Sequence, residues 1–173
     1  LPFLPMLPLQ ILLTNFLTDF PAMAIAGDSV DREMVERPRR WNIAFVRNFM
    51  FTFGAVSSVF DYLTFGLLLL VLHVGQDEFR TAWFLESVMT ELLIMLVIRT
   101  QKPFFRSKPG KYLLIGTLVV AAVTLLLPYS PLNKPLGLTP LPPMLLLILL
   151  GITGLYVLAS EAAKRAFYRR VRL

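Results

Sequence analysis

The chain has 173 residues, of which 56% are hydrophobic and 16% charged; mean hydropathy is +0.67, and 17 Lys and Arg face 11 Asp and Glu. Soluble domains run at about 45–50% apolar and about 25% charged residues, so an ordinary soluble fold is excluded and a membrane protein is predicted. With no Cys and a single His, disulfide scaffolds, thiolate metal sites and cysteine nucleophiles are excluded too, and almost no imidazole chemistry is left.

Crossing a hydrocarbon core takes about 20 mostly apolar residues. Five stretches qualify, at residues 7–26, 48–74, 82–98, 112–128 and 144–162. The first carries Gln10, Asn15, Asp19 and Pro21 among its apolar residues, whereas LLIGTLVVAAVTLLL and PMLLLILLGITGLYVLA are apolar all round, unlike a helix that packs one face on a soluble core. The expected architecture is all-α: a polytopic membrane protein of five transmembrane helices. Opening at Leu1 without Met or a basic-then-apolar leader, the chain is expected to be a piece of something larger.

Sorting the basic residues among the connections orients these spans. One side collects Arg32, Arg37, Arg39, Arg40 and Arg47, then Arg99, Lys102, Arg106, Lys108 and Lys111, then Lys164, Arg165, Arg169, Arg170 and Arg172, while the other has only Arg80 and Lys134. This asymmetry predicts an outside N-terminus and a cytosolic C-terminus. The tail KRAFYRRVRL is then a juxtamembrane anchor touching anionic lipid, not a nucleic-acid arm. The outer connections HVGQDEFR and PYSPLNKPLGLTPLPP are turn-like, and the charged loop from Asp28 to Arg40 reads as a solvated or docking face. Trp41, Trp83 and Tyr129 fall near predicted boundaries as aromatic-belt anchors, and His73 at an interface. Gly151 and Gly154 permit close helix approach without forming a GxxxG pattern. No Gly-rich phosphate loop is present.

An ionisable group inside a bilayer costs at least about 2.5–3.5 kcal/mol, so each one is a functional candidate. Asp19, Asp61 and Glu91 fall near the middle of the first three spans, and antiparallel packing puts them at similar depth, where they could converge. Asn15, Thr18 and Asp19 share a helix face at i, i+3 and i+4, with Gln10 and Thr14 extending the stripe. Ser57 and Ser58 precede Asp61 at helical spacing, as Ser87 precedes Glu91; Glu86 and Thr90 form another such pair, and Glu86 reads first as helix-to-helix glue. The candidate metal ligands are Asn15, Thr18, Asp19, Asp61 and Glu91, an oxygen-only set that suits Mg²⁺ or Ca²⁺ better than zinc or copper. Pro21 removes a backbone donor and should kink or unwind the helix beside Asp19.

The runs LPLQILLTNFLTDFPAMAIAGDSVD and VERPRRWN, with SSVFDYLTFG, WFLESVMTELLIMLVIRTQKPFF, LPYSPL and the terminal YRR, resemble the sixth to tenth membrane helices of P-type cation-transporting ATPases, and most of all their bacterial magnesium-transporting branch. The resemblance implies that Asn15, Thr18 and Asp19 are cation ligands of the sixth helix and that Glu91 stands where calcium pumps place an eighth-helix Glu. Phe20 and Pro21 depart from the calcium-pump pattern and fit the magnesium branch. It also implies Mg²⁺ as the transported ion, a multi-pass protein of the inner (plasma) membrane, and partners in the lipid bilayer and in the pump's other helices and cytosolic domains. The loop from Gly27 to Asn48 would contact the phosphorylation domain. The family's DKTGT and TGE motifs do not occur in these residues, so ATP hydrolysis is expected only through domains outside this chain. A different class stays open: a non-catalytic, stand-alone membrane protein that binds ions or a transporter partner. Passive channel activity has no pore-lining repeat to support it.

Overall fold

The computed structural model describes residues 2–28 and 43–170. The expectations placed on Arg32, Arg37, Arg39, Arg40, Trp41 and Arg172, and on most of the loop between the first two helices, lie outside the described residues.

Prolines at positions 2, 5 and 8 punctuate the start of the chain, and α1 (Pro8–Ala24) begins at the last of them, where a fixed φ and a missing N–H suit a first helical turn. A tight turn at Ile25–Gly27 follows. α2 (Ile43–Gly66) widens into a π turn at Leu67–Val71, α3 spans Gln76–Ile98, α4 Lys111–Leu126, the short α5 Asn133–Leu136, and α6 Pro143–Arg170. Among the described residues there is no strand. Four helices among the described residues are long and apolar enough to cross a membrane: α2 with its π turn, α3, α4 and α6. α1 has 17 residues and rises about 25 Å, somewhat short of a hydrocarbon core of about 30 Å.

α3 begins six residues earlier than the apolar run suggests. Asp77 and Glu78 occupy its first turn, where acids complement the helix dipole, and Glu78 accepts from the Gly75 N–H at 3.4 Å. The expected outer connection HVGQDEFR therefore shrinks to a few residues ending at Gly75. Trp83, expected in a belt, sits two turns inside α3 and meets Phe65 edge-on at 4.5 Å.

α3 is the axis of the bundle. It packs against α1, α4 and α6; α1 also packs on α4, and α2 leans on α6. Phe79, Ala82, Phe84, Leu85, Val88 and Leu92 of α3 are almost wholly buried. The outward surface is apolar, with Leu12, Met50, Tyr62, Leu70, Leu118 and Leu158 exposed, while Gln10, Thr64, Glu86, Thr124 and Ser160 are buried. This inversion of the soluble pattern follows from a solvent that cannot hydrogen-bond: polar side chains turn inward to find partners.

Side chains close both ends of the bundle. At one end, Lys164 is 1% exposed and donates to the carbonyls of Val97 and Lys102, each at 2.8 Å, with Glu161 Oε2 at 2.8 Å. A residue expected among lipid-facing anchors is instead the cap of α3, because a cation satisfies the free carbonyls of a helix C-terminus. At the other end Gln10 caps α1, accepting from the Leu7 N–H at 2.9 Å and donating to the carbonyls of Leu136 and Gly137 at 3.0 Å. It is wholly buried and does not join the stripe predicted for α1. Thr81 accepts from the Thr139 N–H at 2.9 Å, and Arg80 donates to the Leu4 carbonyl at 3.0 Å. Tyr129 donates to Leu141 within the same connection.

α1 remains helical through Pro21 instead of unwinding beside Asp19. With no water to take over freed backbone groups, propagation is favoured over breakage. α4 comes close at this point, where a Cβ on Gly116 would lie 3.8 Å from the Pro21 Cα. A Cβ on Gly151 or Gly154 would meet no neighbouring helix within 4 Å, so these glycines mark no close helix approach.

Candidate functional site

The helical period carries Asn15, Thr18 and Asp19 around one side of α1, and packing against α3 splits their roles. Thr18 is 3% exposed and faces the seam, whereas Asn15 and Asp19 lie on its open rim. Thr18 Oγ1 donates to the Thr14 carbonyl at 3.1 Å, and Thr14 Oγ1 likewise to Gln10 at 3.0 Å. With its proton committed to the helix backbone, such a hydroxyl offers its remaining lone pairs to whatever enters the seam. From α3, Glu91 reaches the same place: its carboxyl group interacts with the Thr18 hydroxyl and lies in the field of Asp19. Glu91 thus stands near Thr18 and within the field of Asp19 at the rim of the α1–α3 seam, with Asn15 one turn along α1. Two carboxyl groups, an amide and a hydroxyl are all oxygen donors, the ligand type that hard cations take.

Asp61 belongs to a different seam. Glu86 and Glu91 are five residues apart on α3, about 140° around the helix, so they face different neighbours. Asp61 on α2 acts electrostatically on Glu86, and both act on Tyr156 of α6. Phe60, next to Asp61, meets the Tyr156 ring edge-on at 5.4 Å. The three mid-span acids Asp19, Asp61 and Glu91 are therefore divided between two pairs: Asp19 with Glu91, and Asp61 with Glu86. Among the described residues no three His, Asp or Glu side chains are grouped so as to hold a metal ion. Of the serines that precede these acids, Ser57 faces Tyr156, and Ser58 is exposed.

Glu86, read from the sequence first as helix-to-helix glue, lies on a different face of α3 from Glu91. It is 2% exposed, and its Oε2 has no hydrogen-bond partner. Its expected mate Thr90 donates to the backbone carbonyls of Glu86 and Ser87, at 2.8 and 3.1 Å, and not to the carboxyl group. The available signal was the five-residue offset from Glu91, which turns the two acids to opposite sides of one helix.

Residues 3–166 match the family model for the C-terminus of cation transporting ATPases. Magnesium-transporting ATPase, P-type 1 from Salmonella typhimurium strain LT2 is 41% identical over 98% of this chain and 19% of its own length. The protein of the same name from Escherichia coli K12 is 41% identical over 98% of this chain and 20% of its own length. A further Salmonella typhimurium LT2 protein of that name is 34% identical over 98% of this chain and 19% of its own length. The chain spans about a fifth of the length of these relatives. With an all-helical membrane bundle matched along nearly its whole length, the chain belongs to the cation-transporting P-type ATPases, as a C-terminal membrane region of the bacterial magnesium-transporting kind.

Proposed function

We propose that this chain is the C-terminal membrane portion of an ATP-driven Mg²⁺ transporter of the bacterial inner membrane, and that it lends the transported ion the oxygens of Asp19, Asn15, Thr18 and Glu91. The observation that carries this reading is the position of the polar rim. Asp19 and Asn15 are exposed on a helix whose other outward residues, Leu12, Phe16, Phe20 and Met23, are apolar. A carboxylate at membrane depth is tolerated against protein or a water-filled cavity, not against acyl chains. That rim is accordingly a seam for other helices of the full-length pump, which complete the site from the far side.

Mg²⁺ dehydrates reluctantly and binds through one or two carboxylates with several waters retained. The Asp19–Glu91 pair supplies that number, Asn15 and Thr18 orient the waters, and the open rim leaves room for them. Asp61 is set apart from these ligands, beside Glu86. The sorting of basic residues supports an outside N-terminus and a cytosolic C-terminus, and the nucleotide chemistry resides in domains outside this chain.

The test is Asp19→Asn in the complete pump. Mg²⁺-stimulated ATP hydrolysis is expected to be lost while the protein still assembles in the membrane. An unchanged Mg²⁺ affinity and rate would remove Asp19 from the site.

A further inference from the structure

α1 and α3 run in the same direction: Arg80, near the start of α3, donates to the Leu4 carbonyl just ahead of α1, and a buried ion pair joins the two helices where they end. Asp28 follows α1 and Arg99 closes α3; their side chains are 4% and 3% exposed and meet at 2.7 Å. The other Asp28 oxygen accepts from the Gly110 N–H at the start of α4, and the Arg99 guanidinium also donates to the Ser107 carbonyl. Deeper in the bundle, a Cβ on Gly116 would lie 3.8 Å from the Pro21 Cα, so α4 holds α1 at a second level.

Counting back from this pair gives the level of two acids. Glu91 stands eight residues before Arg99, about 12 Å along α3 at about 1.5 Å per residue. Asp19 stands nine residues before Asp28, roughly 14 Å along α1 and the tight turn Ile25–Gly27. The two residues therefore fall at nearly the same depth because the helices that carry them are tied at one point. A buried ion pair holds such a setting firmly, since letting its partners slip apart leaves two charges with no solvent to receive them.

Mg²⁺ demands near-ideal octahedral geometry with oxygens at about 2.0–2.1 Å, so a site shared by two helices depends on how one is set against the other. We propose, resting on the reading that Asp19 and Glu91 hold the ion, that Asp28 and Arg99 are positioning residues for its transport: their pair fixes the depth of α1 against α3, and with it the level of Asp19 against Glu91. Neither residue touches the ion. Both act from more than two helical turns away, through the helices they close. Lys164 marks the difference, because it joins α3 to α6 through the carbonyls of Val97 and Lys102 and through Glu161. Its loss loosens the same end of the bundle without freeing α1 from α3.

The test follows ATP hydrolysis by the complete pump in lipid nanodiscs as free Mg²⁺ is varied at saturating Mg·ATP. Asp28→Asn and Arg99→Gln are each expected to raise the half-maximal Mg²⁺ concentration about tenfold, the lower end of the range for groups that orient a metal's ligands, with a much smaller fall in maximal rate. The double variant should match either single change. Lys164→Met, destabilised to a similar degree, should leave the half-maximal concentration where it was. Normal Mg²⁺ dependence in both Asp28→Asn and Arg99→Gln, or an equal shift in Lys164→Met, would reduce the pair to a structural tie and overturn the proposal. Should Asp28→Asn fail to assemble, Asp28→Glu carries the test: it keeps the charge, adds one methylene, and should raise the half-maximal concentration with near-normal melting, whereas normal Mg²⁺ dependence there overturns the proposal too. Asp19→Asn keeps the two claims apart. If it abolishes Mg²⁺-stimulated hydrolysis while the Asp28 and Arg99 variants behave normally, the lock fails and the cation site stands. If Asp19→Asn leaves Mg²⁺ dependence unchanged, the site itself fails and the lock has nothing to set.

Discussion

Arg99 Nη1 donates to Asp28 Oδ2 at 2.7 Å, in a pair whose side chains are 3% and 4% exposed, joining the residue that closes α3 to the segment leaving α1. The second oxygen of Asp28 accepts from the Gly110 N–H, and the Arg99 guanidinium also reaches the Ser107 carbonyl. One acid thus gathers three chain segments at one end of the bundle. A Cβ on Gly110 would lie 2.9 Å from Asp28 Oδ1 and 3.2 Å from its Cα, so a larger residue there would push Asp28 out of this arrangement.

Breaking a buried pair by removing one partner leaves an uncompensated charge and costs roughly 3–5 kcal/mol. Asp28→Asn and Arg99→Gln are each expected to lower the melting temperature of the detergent-solubilised protein substantially. The double variant should lose clearly less than the sum, since each single variant already forfeits the shared interaction. Additive losses would mean that the two side chains do not depend on each other.

Lys164 poses the same problem with more partners. Lys164→Met removes two hydrogen bonds to backbone carbonyls and leaves Glu161 buried without its nearer cation, since Arg165 is 3.5 Å away. We expect a loss of roughly 3–5 kcal/mol, read as earlier thermal aggregation in size-exclusion chromatography. Lys164→Met with Glu161→Gln should recover part of it, because the second change discharges the stranded carboxylate. Absence of any recovery would assign the effect to the carbonyls of Val97 and Lys102 alone.

The contrast between these buried cations and the membrane helices shows what a sequence read in one dimension can reach. α4 and α6 are legible because their apolar runs are uninterrupted. The start of α3 was not, because Gln76, Asp77, Glu78 and Arg80 look like a polar loop; the acids are in fact the first turn, placed by the helix dipole. The polar side of α1 was legible, since Asn15, Thr18 and Asp19 are related by helical spacing alone. Its pairing with Glu91, in place of Asp61, depends on which faces of α3 meet α1 and α6, and that is a tertiary fact. Gln10 and Lys164 were assigned the stripe and the anchor respectively because their partners lie far away along the chain: Leu136 and Gly137 for one, Val97 and Lys102 for the other.

Gly137 has φ +64°, a left-handed conformation that closes α5. Gly137→Ala is expected to cost about 1–2 kcal/mol, the penalty of a Cβ in that region. A Cβ there would also meet Leu7 Cδ1 at 2.6 Å, but that methyl is the far end of a flexible side chain and can turn away. Backbone strain therefore dominates. Gly137→Asn should be the milder change, as Asn tolerates this conformation. Thermal melts of the two variants check the order, and Ala milder than Asn would shift the explanation to packing.

Gln10 and Asn15 carry the same amide chemistry on the same helix, yet the structure sets them in different surroundings. Gln10 is wholly buried and spends its side chain on Leu7, Leu136 and Gly137. Asn15 is exposed beside Asp19, one helical turn away. Gln10→Ala is expected to destabilise the complete pump by about 1–3 kcal/mol, the cost of leaving buried polar groups unpaired, with little change in the Mg²⁺ concentration giving half-maximal ATP hydrolysis. Asn15→Ala should do the reverse: nearly unchanged melting, and a several-fold higher half-maximal Mg²⁺ concentration. Measuring both quantities on both variants separates a cap from a ligand. Equal shifts in Mg²⁺ dependence would return Gln10 to the stripe of cation-facing residues, and no shift for Asn15 would leave Asp19, Thr18 and Glu91 to hold the ion without it.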